Sequence, residues 1–101
     1  MTTMPSSVDV IGRTYELVYD EGLKGLVGLC DSDVLKISIL PGQVKCMEVD
    51  TVLHEVVHAI DIAMFLNMSE RQVYCITVGL LSVLKSNPQF LEYLNKAIND
   101  E

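Results

Sequence analysis

The chain has 101 residues, 50% of them hydrophobic, and a formal net charge of −7 at pH 7. A chain of this length and composition can bury the core of one domain, so we expect a single domain over residues 1–101. Its seven basic residues form no cluster, which argues against direct binding of nucleic acid, because such binding relies on basic contacts to phosphate.

Neither a membrane helix nor a secretion signal is expected. No apolar run is long enough to cross a bilayer, and the start MTTMPSSVDV lacks the basic and apolar parts of a signal peptide. Cys30, Cys46 and Cys75 are odd in number and form no CxxC pair. This pattern argues against a disulfide framework and against a thiolate zinc site. We therefore expect a cytoplasmic protein with reduced thiols and no membrane partner.

The first half of the chain predicts a small antiparallel sheet. Residues 1–12 are expected to be loosely ordered, with a strand or turn at their end. The segment RTYELVYD at 13–20 alternates with a period of two, which is typical of a half-buried strand. Further on, DSD supplies turn residues between GLVGLC and VLKISIL, so a hairpin is the simplest arrangement. Pro41 then ends the second strand of that hairpin.

The second half predicts three helices. From about Glu48, apolar residues recur at spacings of three and four, which indicates a central helix with a wide apolar face. Ser69 and Gln72 have the spacing of a capping box, so a second helix is expected to follow. Asn87 and Pro88 suit the N-cap and first position of a third helix. The pattern as a whole predicts an α+β domain, a sheet followed by helices.

The central helix carries both histidines of the chain, in the segment HEVVH. His54 and His58 are one helical turn apart, so both imidazoles project from one face and can bind the same zinc ion. Glu55 is placed to act as a general base, which takes a proton from the attacking water and returns it to the leaving amine. The alternative is three polar residues together by accident, but buried polar groups are costly without a partner.

The third zinc ligand should be a carboxylate, because a catalytic site keeps three protein ligands and no histidine remains. We favour Glu70, since a second helix antiparallel to the first would return its side chain to the metal; it could also serve only the helix dipole. Asp61 is the other candidate ligand. Asp61 and Asp50 each have the spacing to hydrogen-bond a ligand imidazole, or are solvated charges. Tyr74 is a candidate oxyanion stabiliser or a core residue.

The order of these parts resembles a known group of proteins. A hairpin ending in KISIL, the HEVVHAID helix and the SERQVYCITVGLL helix are similar to small zinc peptidases of phages and mobile elements, of the gluzincin type. Their relatives include repressor-cleaving peptidases with an HExxH helix and an E-x-x-A-x-x-x-A helix. Over residues 13–86 the resemblance implies a minimal zincin-like fold, although Val73 and Thr77 replace the small residues common in the second motif. The resemblance places the ligands on His54, His58 and Glu70, and the base on Glu55.

The leading expectation is a zinc-dependent endopeptidase that holds an extended peptide along an edge strand VLKISIL. The resemblance suggests a regulatory protein as substrate, such as a repressor of phage or host, and the host cytoplasm as location. Because larger relatives carry an additional N-terminal helix, the cleft of this domain is expected to be shallow and to be completed by a protein partner. The alternative is a zinc-stabilised, non-catalytic interaction module for a basic partner. Hydrolysis of another kind of bond ranks last.

Overall fold

The computed structural model of the protein describes residues 2–100 and has an α+β fold. A four-stranded sheet is followed by three helices. The strands are β1 (Ser7–Val10), β2 (Arg13–Tyr19), β3 (Gly28–Asp31) and β4 (Lys36–Ile39), and the helices are α1 (Lys45–Met64), α2 (Glu70–Ser86) and α3 (Pro88–Ile98). None of the helices described is both long and apolar enough to cross a membrane.

The sheet is mixed, with the strand order β1-β2-β4-β3. β3 and β4 form the expected antiparallel hairpin, and β1 pairs antiparallel with β2, but β2 and β4 are parallel. The prediction of an antiparallel sheet is therefore wrong at this pair. The connection after β2 carries the chain to the far edge of the sheet, so that β4 comes back beside β2 in the same direction.

Residues 1–12 end in a strand and a turn, as expected, but the strand β1 is not loosely ordered. Val10 is buried in the core and Val8 packs against it. Ile11 and Gly12 both have positive φ, at 48° and 79°, as the central pair of a tight hairpin turn requires. β1 is held by its antiparallel pairing with β2, which no pattern within residues 1–12 could indicate.

The core lies between the sheet and α1. Its buried members are Val10, Tyr15, Leu17, Ile37, Ile39 and Ala59. From the helix, Val52, Val56 and Ile60 also pack against this cluster. Hydrogen bonds stabilise the first turn of α1, because the side chains of Tyr19 and Lys45 both donate to the Glu48 carboxylate at 2.7 Å. The helix is thereby fixed over one face of the sheet.

β4 lies inside the sheet, and this corrects the expected position of the substrate strand. β4 is hydrogen-bonded to β2 on one side and to β3 on the other, so the VLKISIL segment has no free edge. The outer strand on that side is β3, which also packs against α1. An extended peptide could therefore pair with β3 and not with β4.

The predicted starts of α2 and α3 are confirmed. Ser69 Oγ accepts from the backbone N–H of Gln72 at 3.1 Å, and the Gln72 side chain accepts from the Ser69 N–H at 2.8 Å, which is a complete capping box. Pro88 begins α3 as expected. Asn87, however, does not cap α3 with its side chain, because its Nδ2 donates backward to the Val83 carbonyl at 2.8 Å.

Candidate metal centre

The loop between α1 and α2 brings Glu70 against the two histidines of α1. Glu70 Oε1 accepts a hydrogen bond from Nε2 of His54 at 2.6 Å and from Nε2 of His58 at 3.1 Å. The two imidazole centroids are 4.8 Å apart, and their planes are inclined by 72°. All three donor atoms lie within 4.8 Å of one another, the one such group found in residues 2–100. The histidine pair and the carboxylate thus converge on one point.

The chemistry of these three donors fits zinc. Zinc binds imidazole nitrogen and carboxylate oxygen at about 2.0–2.2 Å, which puts tetrahedral ligands roughly 3.3 Å apart. The observed Nε2···Oε1 separations of 2.6 and 3.1 Å are shorter than this and lie in or near the range of N–H···O hydrogen bonds. The side chains of His54 and His58 are 20% and 24% exposed and that of Glu70 is 71% exposed. A metal held there would keep one side open.

Glu70 is positioned by the start of α2. It is the first residue of the helix, directly after the N-cap Ser69, where a carboxylate interacts favourably with the helix dipole. Its partial burial acts to raise the pKa of its carboxyl, but the hydrogen bonds from His54 and His58 outweigh burial, so the pKa lies below its usual range. Glu70 is therefore ionised at neutral pH, as a metal ligand must be.

Glu55 lies beside this donor group but is not part of it. The residue is only 6% exposed. Burial raises the pKa of the Glu55 carboxyl, while the charges of His58 and His54 act in the opposite direction. The carboxylate packs against Gly28 of β3, where a Cβ atom would lie 2.9 Å from Glu55 Oε2. The base candidate is thus enclosed between α1 and the backbone of the edge strand.

The four residues line one open cleft, with a volume of about 670 Å³, between β3 and the helices. Residues 26–30 line it consecutively, so the cleft runs along β3. Leu26, Val27 and Leu29 contribute exposed apolar surface near its wall. The cleft is therefore bordered by an apolar strand on one side and by His54, Glu55, His58 and Glu70 on the other.

The structure also places the three remaining residues that the sequence suggested for the site, Asp61, Asp50 and Tyr74. Asp61 Oδ1 accepts the backbone N–H of Met68 at 3.1 Å, so this carboxylate stabilises the loop before α2. Asp50 and Tyr74 line the cleft. Within residues 2–100, no hydrogen bond joins Asp50 or Asp61 to an imidazole. Tyr74 is 57% exposed, so the alternative of a core tyrosine is wrong.

Three further residues of the site had no role in the sequence-based prediction. The absence of a side chain at Gly28 leaves space for the Glu55 carboxylate. Thr51 borders the same space, because its Cγ2 would lie 2.7 Å from a Cβ atom at residue 28. Cys30 lines the cleft; burial and the charge of Glu55 raise the pKa of its thiol to about 11, so it stays protonated at neutral pH. For Gly28 and Cys30 the one sequence signal was the glycine-rich stretch GLKGLVGLC, which indicates a close approach of the backbone but not the residue it approaches. Thr51 had no such signal.

Comparisons of the chain with protein-family models, with curated proteins and with solved structures gave no match. The chemistry of the site itself is therefore the guide to function. Two imidazoles and a carboxylate that converge in a cleft can hold a divalent cation. A fourth group next to them, the buried carboxylate of Glu55, can accept a proton from a group that approaches through the cleft.

Proposed function

We propose that the protein is a zinc-dependent peptidase with a minimal zincin-like fold. The observation that carries the proposal is the enclosure of Glu55 beside the convergent group His54, His58 and Glu70 in an open cleft. A structural zinc site uses four protein ligands and has no need of a base. Three ligands, an open side and an adjacent buried carboxylate are the parts that hydrolysis requires.

His54, His58 and Glu70 would hold the metal, and Glu55 would move the proton. A zinc ion bound there would polarise the substrate carbonyl and make water easier to deprotonate. Glu55 would accept the proton of the attacking water and pass it to the leaving nitrogen. The contact with Gly28 restricts the Glu55 side chain, so little reorganisation is needed when the proton moves.

The substrate would be an extended peptide that pairs with the outer edge of β3. An added strand gains affinity from main-chain hydrogen bonds and specificity from alternate side chains. β3 is the outer strand and runs along the cleft, which supports this placement. The resemblance to phage and mobile-element peptidases suggests a regulatory protein, such as a repressor, in the host cytoplasm, with a partner protein completing the cleft.

Metal content is the first test. In protein purified without added metal, elemental analysis should find about one zinc per chain, lost in His54→Ala and strongly reduced in Glu70→Ala. Asp61→Ala is the matched carboxylate control, and it should reduce zinc far less because Asp61 is bonded to the loop. Equal losses in the two carboxylate variants would move the third ligand to Asp61. A folded wild type that takes up no zinc would contradict the metal site.

Hydrolysis is the second test. Glu55→Gln should keep the zinc and the circular-dichroism spectrum but cleave a peptide library about 10²–10⁴ times more slowly than wild type. Glu21→Gln makes the same change at an exposed residue and should cleave at the wild-type rate. Full activity in Glu55→Gln would contradict the assignment of the base. Zinc binding without any cleavage by wild type would favour the interaction module instead.

A further inference from the structure

The apolar side of α3 is left uncovered by the described part of the chain. Phe90, Leu91 and Ile98 are 45%, 46% and 75% exposed, and no residue of α3 is buried. Among the described elements, α3 packs against α2 alone. A helix of eleven residues is marginal in water unless its apolar face is packed. The apolar face of α3 therefore requires a second apolar surface that shields it from water.

A second apolar surface, in which Val49 is exposed and the other apolar lining residues are half-buried, lies on α1. We call it the α1 groove. It has a volume of about 310 Å³ and lies between residues 2–5 and the C-terminal half of α2. Its apolar lining consists of Val49, Val52, Leu53, Val56, Leu81 and Leu84. By helical periodicity, most of the α1 residues in this lining project roughly half a turn away from His54 and His58. The groove is therefore separate from the metal centre.

α3 cannot close back along its own chain to cover the groove. Asn87 alone separates α2 from α3, whereas an antiparallel helical hairpin uses a connection of about 2–5 residues. The Asn87 side chain is also bonded to the Val83 carbonyl, and Pro88 restricts the backbone after it. The two apolar surfaces of one chain thus stay apart.

We propose that the occupant of both surfaces is a second copy of this chain. In this dimer, α3 of each copy lies in the α1 groove of the other, and a two-fold axis relates the two contacts. Such an arrangement is closed, because each copy offers one helix and one groove. It leaves the cleft of each copy accessible, since the groove and the histidines lie on different sides of α1.

The exposed area of the chain agrees with an interface of this size. The structure exposes 7304 Å², whereas a compact monomer of 11.2 kDa exposes about 5,700 Å². The difference of about 1,600 Å² lies within the range of about 1,000–2,500 Å² that each chain buries in an obligate homodimer. The radius of gyration, 14.0 Å, also exceeds the value of about 12.7 Å for a compact chain of this length.

The charges next to both surfaces permit self-association. Two chains of net charge −7 repel each other, so a contact between them is favoured where neighbouring acidic side chains are paired. At the edge of the groove, Lys45 pairs with Glu48 at 2.7 Å, and on α3 Lys96 pairs with Glu92 at 2.9 Å. Because the remaining repulsion is screened by salt, added salt should maintain or strengthen the dimer, whereas it would weaken a complex with a basic partner.

Light scattering and sedimentation of the full chain test this proposal, with and without zinc. The wild type should have twice the mass of one chain. Val49→Asp in the groove and Ile98→Asp on α3 should each weaken association by at least about tenfold, since each places a charge in an apolar contact. Val34→Asp is the matched control: Val34 is 63% exposed in the turn before β4, and this variant should dimerise like wild type.

Mixing the two variants separates a reciprocal exchange from other modes of association. In a mixed dimer, the unchanged α3 of the Val49→Asp chain lies in the unchanged groove of the Ile98→Asp chain, so one of the two contacts is intact. An equimolar mixture of the two variants should therefore dimerise more than either variant alone. Circular dichroism should find all three variants folded, because the substituted residues are exposed. A wild type that stays monomeric overturns the proposal and leaves a different protein as the occupant. Unchanged dimers in both variants overturn the assigned surfaces.

Discussion

At the scale of single residues, Gly28 controls the environment of the candidate base. A Cβ at this position would lie 2.7 Å from Thr51 Cγ2 and 2.9 Å from Glu55 Oε2. Gly28→Ala should therefore displace the Glu55 carboxylate or push β3 away from α1, with a cost of about 1–3 kcal/mol in the free energy of unfolding. Peptide cleavage should fall while zinc content stays the same, and parallel activity and metal measurements would detect this.

Gly79→Ala is the control for this substitution. Gly79 lies within α2, and a Cβ there would meet nothing within 4 Å. This variant should be about 0.5–1 kcal/mol more stable than wild type, because alanine favours the helix, and should cleave at the wild-type rate. Wild-type activity in Gly28→Ala would mean that the Glu55 carboxylate needs no fixed position.

Sequence reasoning found some of the site residues and could not find others. His54, Glu55 and His58 follow from spacing within one helix, and the approach of Glu70 follows from a short connection between two helices. Gly28 lies on another element, and its contact with Glu55 depends on the packing of β3 against α1. The spacing of residues within one helix or strand cannot predict this contact, because it exists only once the sheet has formed.

At the scale of elements, the start of α2 combines a helix cap with the candidate metal ligand Glu70. Ser69 caps the helix, and Glu70 is its first residue. Ser69→Ala should cost about 1 kcal/mol of stability in the presence of a chelator and should also weaken zinc binding, because the first turn no longer holds Glu70 firmly. Chemical denaturation and competition titration with a zinc indicator would measure the two effects.

Ser82→Ala provides the matched substitution within the same helix. Ser82 is exposed in the body of α2 and makes no cap, so its replacement should leave zinc affinity unchanged and raise stability slightly. If Ser69→Ala lost stability but kept full zinc affinity, the position of Glu70 would not depend on the cap.

The strands were predictable, but their order in the sheet was not. The alternation in residues 13–20 and the DSD turn identify β2 and the β3–β4 hairpin, because they report which face of a strand is buried. They carry no information on which strand lies next to which. The parallel pairing of β2 with β4 is therefore visible only in the structure, and it moves the free edge from the predicted VLKISIL strand to β3.

The helices show the same difference between local and tertiary information. Capping residues located α2 and α3 correctly, since caps act within a few residues of the chain. The apolar side of α3, in contrast, has no buried residue in the described part of the chain. Periodicity identifies an apolar face but does not say whether that face is covered within one chain or by another.

At the scale of the whole molecule, zinc should stabilise the fold. The candidate ligands lie on α1 and α2 and converge only when these helices are paired, so zinc would bind the native state in preference to the unfolded chain. At a free concentration about 100 times its Kd, zinc should add about 2.7 kcal/mol, and the Tm should rise by roughly 10–20 °C. Thermal unfolding with zinc and with a chelator would measure this shift.

His54→Ala should abolish the zinc-dependent rise in Tm, because the two remaining donors bind zinc weakly. Asp33→Ala changes an exposed residue in the turn between β3 and β4, and this control should keep the full rise. A wild-type Tm that does not respond to zinc would contradict the proposed centre even if the metal were found in the purified protein.

The positions of the ligands along the chain also bear on the order of folding. Glu70 is 16 residues from His54 and 12 from His58 along the chain, so the helical pair α1–α2 contains the whole donor group. The contact between Glu55 and Gly28 spans a longer loop and requires the β3 edge. Contacts between residues close in sequence form sooner, because less chain entropy is lost. On the proposed function, a chain with its helices paired and its sheet unformed would already bind the metal, and hydrolysis would begin only when β3 packs against α1.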